Sequence, residues 1–214
     1  MTNYKIWLMI IFALVILSAC QATPEEKIYH ILEQTVAKEK DFDKQQKPLM
    51  ELETQEQRLF DKIINLGIKD MDKIVKLSNE AIENLEKRKE KMKIEQASIL
   101  SSKKEFSKIK SHIRKIASEK TKKEATQLQK LMEKRYETHE KLYKAYLHGI
   151  DTNMKLYQMM KDKKLQIGEL EKQIQLSNKA YSEVLKMNQL FNKNTKKFNE
   201  QKSKFYKDTQ IKIS

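Results

Sequence analysis

The sequence predicts an all-α protein, an elongated antiparallel up-and-down bundle of four long helices. Three observations carry that expectation. The 214 residues contain only three glycines and two prolines, so turn formers are scarce. Charged residues make up 35% and hydrophobic ones 39%, a Lys/Glu/Leu-rich mixture typical of long helices and coiled coils. Apolar residues also recur at spacings of three and four, the period of one buried helix face. High charge would equally suit a disordered chain; the regular apolar spacing argues against it.

The leader has a logic of its own. Lys5 gives a thin basic start, and Ile6 to Leu17 is an uncharged apolar run. That run is shorter than the roughly 20 residues a spanning helix needs. With small residues at its end, it reads as a secretory signal peptide. Leu17-Ser18-Ala19-Cys20 resembles the lipobox of bacterial lipoproteins, and Cys20 is the only cysteine in the chain. The resemblance implies a diacylglycerol on the Cys20 thiol and cleavage between Ala19 and Cys20. One thiol excludes an internal disulfide. The expected layout is a signal peptide over 1–19, the lipidated cysteine and a short tether over 20–23, and a helical domain over 24–214. Membrane attachment would then come through lipid on the outer face of the cytoplasmic membrane, with two fatty chains giving a stable anchor.

Thr23-Pro24-Glu25-Glu26 opens the first helix. Thr23 caps, Pro24 suits the first helical position and Glu26 completes a capping box. Ile28, Ile31, Leu49, Leu52, Leu59, Ile63 and Leu66 belong to one rhythm that keeps its phase across Pro48. This predicts one helix over 24–66, kinked near Lys47, with Gly67 as its stop. A second helix, over 70–118, opens at Asp70 or Asp72 and carries Ile74, Leu77, Ala81, Leu85, Met92 and Ile99. A third, over 122–162, holds Leu128, Met132, Tyr136, Tyr146, Ile150 and Tyr157, with Gly149 inside it and a turn over 162–168. The last, over 167–207, has two heptad registers. One is Ile167, Ile174, Tyr181, Asn188, Thr195 and Lys202; the other is Leu170, Ser177, Val184, Phe191, Phe198 and Phe205. Segments of this size are rods of roughly 60 to 70 Å at about 1.5 Å per residue, and short turns make neighbours antiparallel. A three-helix bundle with a broken third member and an extended dimerising coil are the competing topologies.

Little in the chain announces chemistry. His30, His112, His139 and His148 are scattered, without metal-ligand spacing. The sequence contains neither a phosphate-cradling glycine loop nor a nucleophile elbow. The expectation is a non-enzymatic protein without cofactor or metal. Tyr136, Tyr143, Tyr146 and Tyr157 read as bundle core with hydroxyls at its edge, and Lys87-Arg88-Lys89 as a solvated basic cluster. The formal net charge is +14, which draws an exported protein to anionic surfaces. Nucleic acid would be the default partner in the cytosol, and the leader argues against it. The densest basic stretch holds Lys103, Lys104, Lys108, Lys110, Arg114, Lys115, Lys120, Lys122 and Lys123, opposed only by Glu105 and Glu119. It is the candidate polyanion-binding face.

Thr23-Pro24-Glu25-Glu26-Lys27-Ile28-Tyr29, then Phe42-Asp43-Lys44-Gln45-Gln46-Lys47-Pro48-Leu49 and Leu59-Phe60-Asp61-Lys62-Ile63-Ile64, resemble the YkyA-type lipoproteins. That family is described as cell-wall-binding in low-GC Gram-positive bacteria. The resemblance implies a helical bundle in the membrane–wall zone and carries over no catalytic residue. The leading expectation is therefore a lipid-anchored protein whose basic bundle binds anionic wall polymers. The alternative is a protein-interaction scaffold at the same surface; the oligomeric state is left open.

Overall fold

The computed structural model describes residues 22–66 and 68–211. The leader with Leu17, Ser18, Ala19 and Cys20, and the stop expected at Gly67, lie outside the described residues. Among those described, the regular elements are helices: α1 (Pro24–Lys38), α2 (Lys40–Ile64), a 3-10 turn (Ile68–Asp70), α3 (Met71–Phe106), α4 (Ile109–Ile113), α5 (Glu119–Met160) and α6 (Ile167–Asp208). Together they form an elongated antiparallel bundle of four long helical arms, the first arm being α1 plus α2.

The start of α1 follows its sequence signal. The Thr23 hydroxyl accepts the Glu26 N–H at 3.1 Å, and the Glu26 carboxylate accepts the Thr23 N–H at 2.7 Å. Along the first arm the break comes at Glu39, not near Lys47. Pro48 sits inside α2, and the carbonyl its missing N–H would have bonded belongs to Lys44, an exposed residue. The cause of the break lies on another helix. In an unbroken helix the Phe42 N–H would bond the Lys38 carbonyl. Here the Ser98 hydroxyl of α3 is wedged between them, donating to Lys38 O at 2.6 Å and accepting from Phe42 N–H at 3.2 Å. A side chain inserted into the ladder is a recognised cause of a kink. The Glu39 N–H falls back on the Val36 carbonyl at 2.9 Å.

At the other end of α3 the helix stops at Phe106, short of the predicted 118. The Ser107 and Ser111 hydroxyls bond back to the carbonyls of Lys104 and Lys108, a competition that disfavours continued helix. The turn so made lets Ile109, Ile113 and Ile116 bury beneath α1. Ser118 then caps α5 through the Thr121 N–H at 3.3 Å.

Two apolar clusters fill the rod. The first joins Ile28 and Leu32 of α1 to Phe106, Ile109, Leu128 and Phe205. The second joins Leu85, Met92, Tyr146, Ile150, Tyr157 and Phe191. Neighbours pack in chain order, α2 on α3, α3 on α5 and α5 on α6. Gly149 lets α6 approach α5: a Cβ there would meet the Tyr181 ring at 3.3 Å. Closure between α2 and α6 is incomplete, and a cleft runs between them. The second register of α6 faces the core, with Val184, Phe191, Phe198 and Phe205 buried. The first register does so only in part: Ile174 and Tyr181 pack against the second cluster, whereas Ile167 is 75% exposed and Asn188 and Thr195 line the cleft. Ala180, Met187 and Asn194 take the expected place of that register in the core.

Replacing Ser98 by Ala removes the inserted hydroxyl and leaves two backbone groups to find each other. The expected loss in urea unfolding is about 1 to 2 kcal/mol. Unchanged stability would mean that the inserted Ser98 hydroxyl contributes nothing measurable to the fold at the break.

Candidate functional site

The interior is polar at two levels. At the α1–α2 break, Arg135 of α5 clasps Glu39 with both ends of its guanidinium at 2.7 Å, and its Nε donates to Thr195 of α6 at 3.0 Å. The Ser102 hydroxyl of α3 donates to Glu39 at 2.6 Å and pairs with the Tyr136 hydroxyl at 2.7 Å. The guanidinium also lies 4.8 Å from the Phe191 ring centroid. One turn on, His139 Nε2 donates to Glu95 at 2.9 Å, and Gln46 donates to the other oxygen of that carboxylate at 3.0 Å.

The second level centres on Arg88, which is 1% exposed. Its Nε donates to the Tyr146 hydroxyl at 3.0 Å, and that hydroxyl donates to Glu53 at 2.6 Å. Its remaining nitrogens reach Glu56 and Glu53 at 3.3 and 3.4 Å. Glu56 also accepts from the Tyr157 hydroxyl and from Asn153. Two expectations are corrected here. Lys87-Arg88-Lys89 is not a uniformly solvated cluster, because Arg88 turns inward between its two neighbours. The hydroxyls of Tyr136 and Tyr157 are spent inside the bundle, on Ser102 and Glu56, because an unpaired phenol in the core would be costly; that of Tyr146 does reach the edge, where it donates to the exposed Glu53.

These groups floor the cleft between α2 and α6. Its larger part, about 730 Å³, is lined among others by Gln46, Glu53, Arg135, Asn188 and Thr195. A second part, about 440 Å³, adjoins Glu56, Arg88 and Tyr181. Every guanidinium nitrogen described above already has a partner, so the cleft's chemistry is chiefly internal pairing. Among the described residues no group of three His, Cys, Asp or Glu side chains could hold a metal ion.

The predicted basic residues come together differently, on the outside and at one end. Lys103 and Lys104 close α3, Lys108, Lys110, Arg114 and Lys115 surround α4, and Lys120, Lys122 and Lys123 open α5. All but the half-buried Lys122 are exposed. Lys108, Lys110, Lys120 and Lys122 have carboxylate partners in Glu105, Glu133, Asp208 and Glu119. Lys103, Lys104, Arg114, Lys115 and Lys123 have none within salt-bridge reach among the described residues. Lys27 of α1 and Lys207 of α6, both exposed, add charge that the contiguous stretch did not include. The field shows in His112, whose pKa is held below the usual histidine value by burial and then by the charges of Lys115 and Lys27.

Burial drives the phenols of Tyr136, Tyr146 and Tyr157 far above the ordinary tyrosine range. Burial also pushes Tyr181 up to about 12, against the pull of the Arg88 charge. A group with a raised folded pKa gives its full stabilisation below the unfolded value near 10 and loses it as pH climbs toward the folded one. Stability should therefore fall from about pH 10 to 12, with tyrosinate absorbance appearing as helicity is lost. Ionisation of all four phenols in a still-folded bundle near pH 10 would contradict the burial argument.

With this geometry in place, three likenesses bear on the chain. A family model described as "Putative cell-wall binding lipoprotein", YkyA, matches residues 23–208. The "Uncharacterized lipoprotein YkyA" of Bacillus subtilis (strain 168) is 37% identical over 192 residues, covering 89% of this chain and 86% of that protein. A solved structure of a conserved protein of unknown function from Staphylococcus aureus aligns with a TM-score of 0.60 at 14% identity, over 86% of this chain and 96% of its own. The last shows the fold alone. No helix among the described residues is long and apolar enough to cross a membrane. The matched span runs from the capping threonine of α1 to the last residue of α6, and on that extent the chain belongs to the YkyA family of lipoproteins.

Proposed function

We propose that the protein is a non-enzymatic surface lipoprotein, held by lipid on Cys20 at the outer face of the cytoplasmic membrane, whose basic tip binds anionic cell-wall polymers. The observation that carries the reading is the gathering of the basic residues of α3, α4 and α5 at one end, with five cations that have no carboxylate partner among the described residues. Such a surface holds polyphosphate through many weak contacts and needs no shaped pocket. The family description supports the class of partner, and the leader supports the compartment. Enzymatic activity has no support in the interior, where the guanidinium nitrogens of Arg88 and Arg135 are tied to carboxylate and hydroxyl partners.

Binding of this kind releases counterions and weakens steeply with salt. Residues 21–214 should cosediment with wall sacculi at low salt, lose binding as salt rises, and fail on sacculi stripped of their anionic polymers. Salt-insensitive binding, or equal binding to stripped sacculi, would contradict the proposal.

A further inference from the structure

The basic tip and the predicted lipid anchor lie at the same end of the rod. α1 runs antiparallel to α3, with the Lys38 carbonyl held by Ser98. Its first turn therefore lies beside α4, where Ile28 packs in one cluster with Ile109 and Ile113. Lys27 is close enough for its charge to be felt at His112. The end of α6 closes the same tip, with Lys120 on Asp208 and Tyr29 against Tyr206. Cys20 precedes the capping Thr23 by three residues, and even fully extended chain spans only about 3.6 Å per residue. A lipid on Cys20 would thus enter its bilayer within about 11 Å of the start of α1. The opposite end is one α5 length away, 42 residues or about 63 Å at the helical rise.

Screening decides what the tip can feel. The Debye length is about 8 Å at physiological salt, close to the reach of the tether and far below the length of the rod. Charges around α4 would therefore lie inside the field of the leaflet that holds the anchor, and those at the far end outside it. The far turns are closer to balance, with Lys69 and Lys73 beside Asp70 and Asp72, and Lys161, Lys163 and Lys164 beside Asp162 and Glu169.

We propose that the basic tip is a membrane-contacting surface, recognising the anionic phospholipid headgroups of the leaflet in which the Cys20 lipid is embedded. Lipid chain and lysines then form a two-part anchor, each part raising the effective concentration of the other. This places the rod with its α4 end down and the α2–α3 and α5–α6 turns facing outward. The inference rests on the polyanion reading of the tip and adds the leaflet to the wall polymers as a polyanion that the tip meets.

The test uses residues 21–214 without lipid, a piece that holds both apolar clusters entire. It is sedimented with vesicles of phosphatidylcholine alone or mixed with phosphatidylglycerol, and in a parallel arm with wall sacculi. Between the vesicles, the expected result is salt-sensitive binding to those containing phosphatidylglycerol and none to phosphatidylcholine alone, beside the sacculus binding expected above. A variant carrying Lys104→Glu, Arg114→Glu and Lys115→Glu should bind them at least tenfold more weakly, while the far-end variant Lys69→Glu, Lys163→Glu and Lys164→Glu binds normally. These residues are exposed, and circular dichroism checks that both variants remain helical. Equal weakening by the two variants would overturn the inference. Binding to sacculi through the tip with none to anionic vesicles would overturn it while leaving the polyanion reading intact. Failure in both arms would remove both.

Discussion

The shape of this molecule depends on one buried pair, Arg135 with Glu39. Glu39 is the single residue between α1 and α2, and it can face inward only because Ser98 has opened the helix ladder there. A carboxylate brought into a bundle core needs a partner that satisfies both oxygens; a bidentate guanidinium does so. Arg135 in turn is fixed by Thr195 and the Phe191 ring, so one ion pair ties α1, α2, α5 and α6 to a common level, with Ser102 adding α3. Losing one partner of such a pair typically costs about 3 to 5 kcal/mol, because the survivor is left charged and unpaired. The break it sustains separates two parts of the rod. Toward one end α1 covers α4 and reaches α6; toward the other α2 follows α3 and leaves the cleft open.

How much of this was legible follows from what periodicity measures. Apolar spacing reports which face of a helix is buried, so the helical class, the antiparallel arms and the phenylalanine seam of α6 could be read from the chain. It is blind to a charged residue at a buried phase. Arg88 falls on the stripe of Ala81, Leu85 and Met92, and Arg135 and His139 fall on the stripe of Met132, Leu142 and Tyr146. The signal was present as a cation at a core position, and composition of the neighbouring lysines concealed it. The break at Glu39 had no local signature, since its cause is a serine on another helix. Pro48 was the visible suspect, and it sits harmlessly in α2 because the carbonyl it deprives belongs to an exposed residue.

The basic stretch was legible as a stretch but not as a place. In sequence it straddles what looked like a helix boundary. In the fold it becomes an end, because the serine-rich turn after Phe106 folds α4 under α1. That fold adds Lys27 and Lys207 from the chain's two extremities. Charge concentrated at one end of a rod, with turns closer to balance at the other, gives the molecule an electrical polarity. Together with an anchor at the same end, that polarity has an orientational meaning that net charge alone does not.

The most direct measurement of that orientation uses the lipidated protein in phosphatidylglycerol-containing bilayers. With Cys20 blocked by its lipid, one new cysteine can carry a fluorophore at Ser111 in the tip or at Lys163 in the far turn. A quencher fixed at headgroup depth should extinguish the probe at Ser111 and leave that at Lys163 bright. Equal quenching at both positions would mean that the rod lies flat or tumbles on its tether, and would contradict a bundle held upright by its basic end.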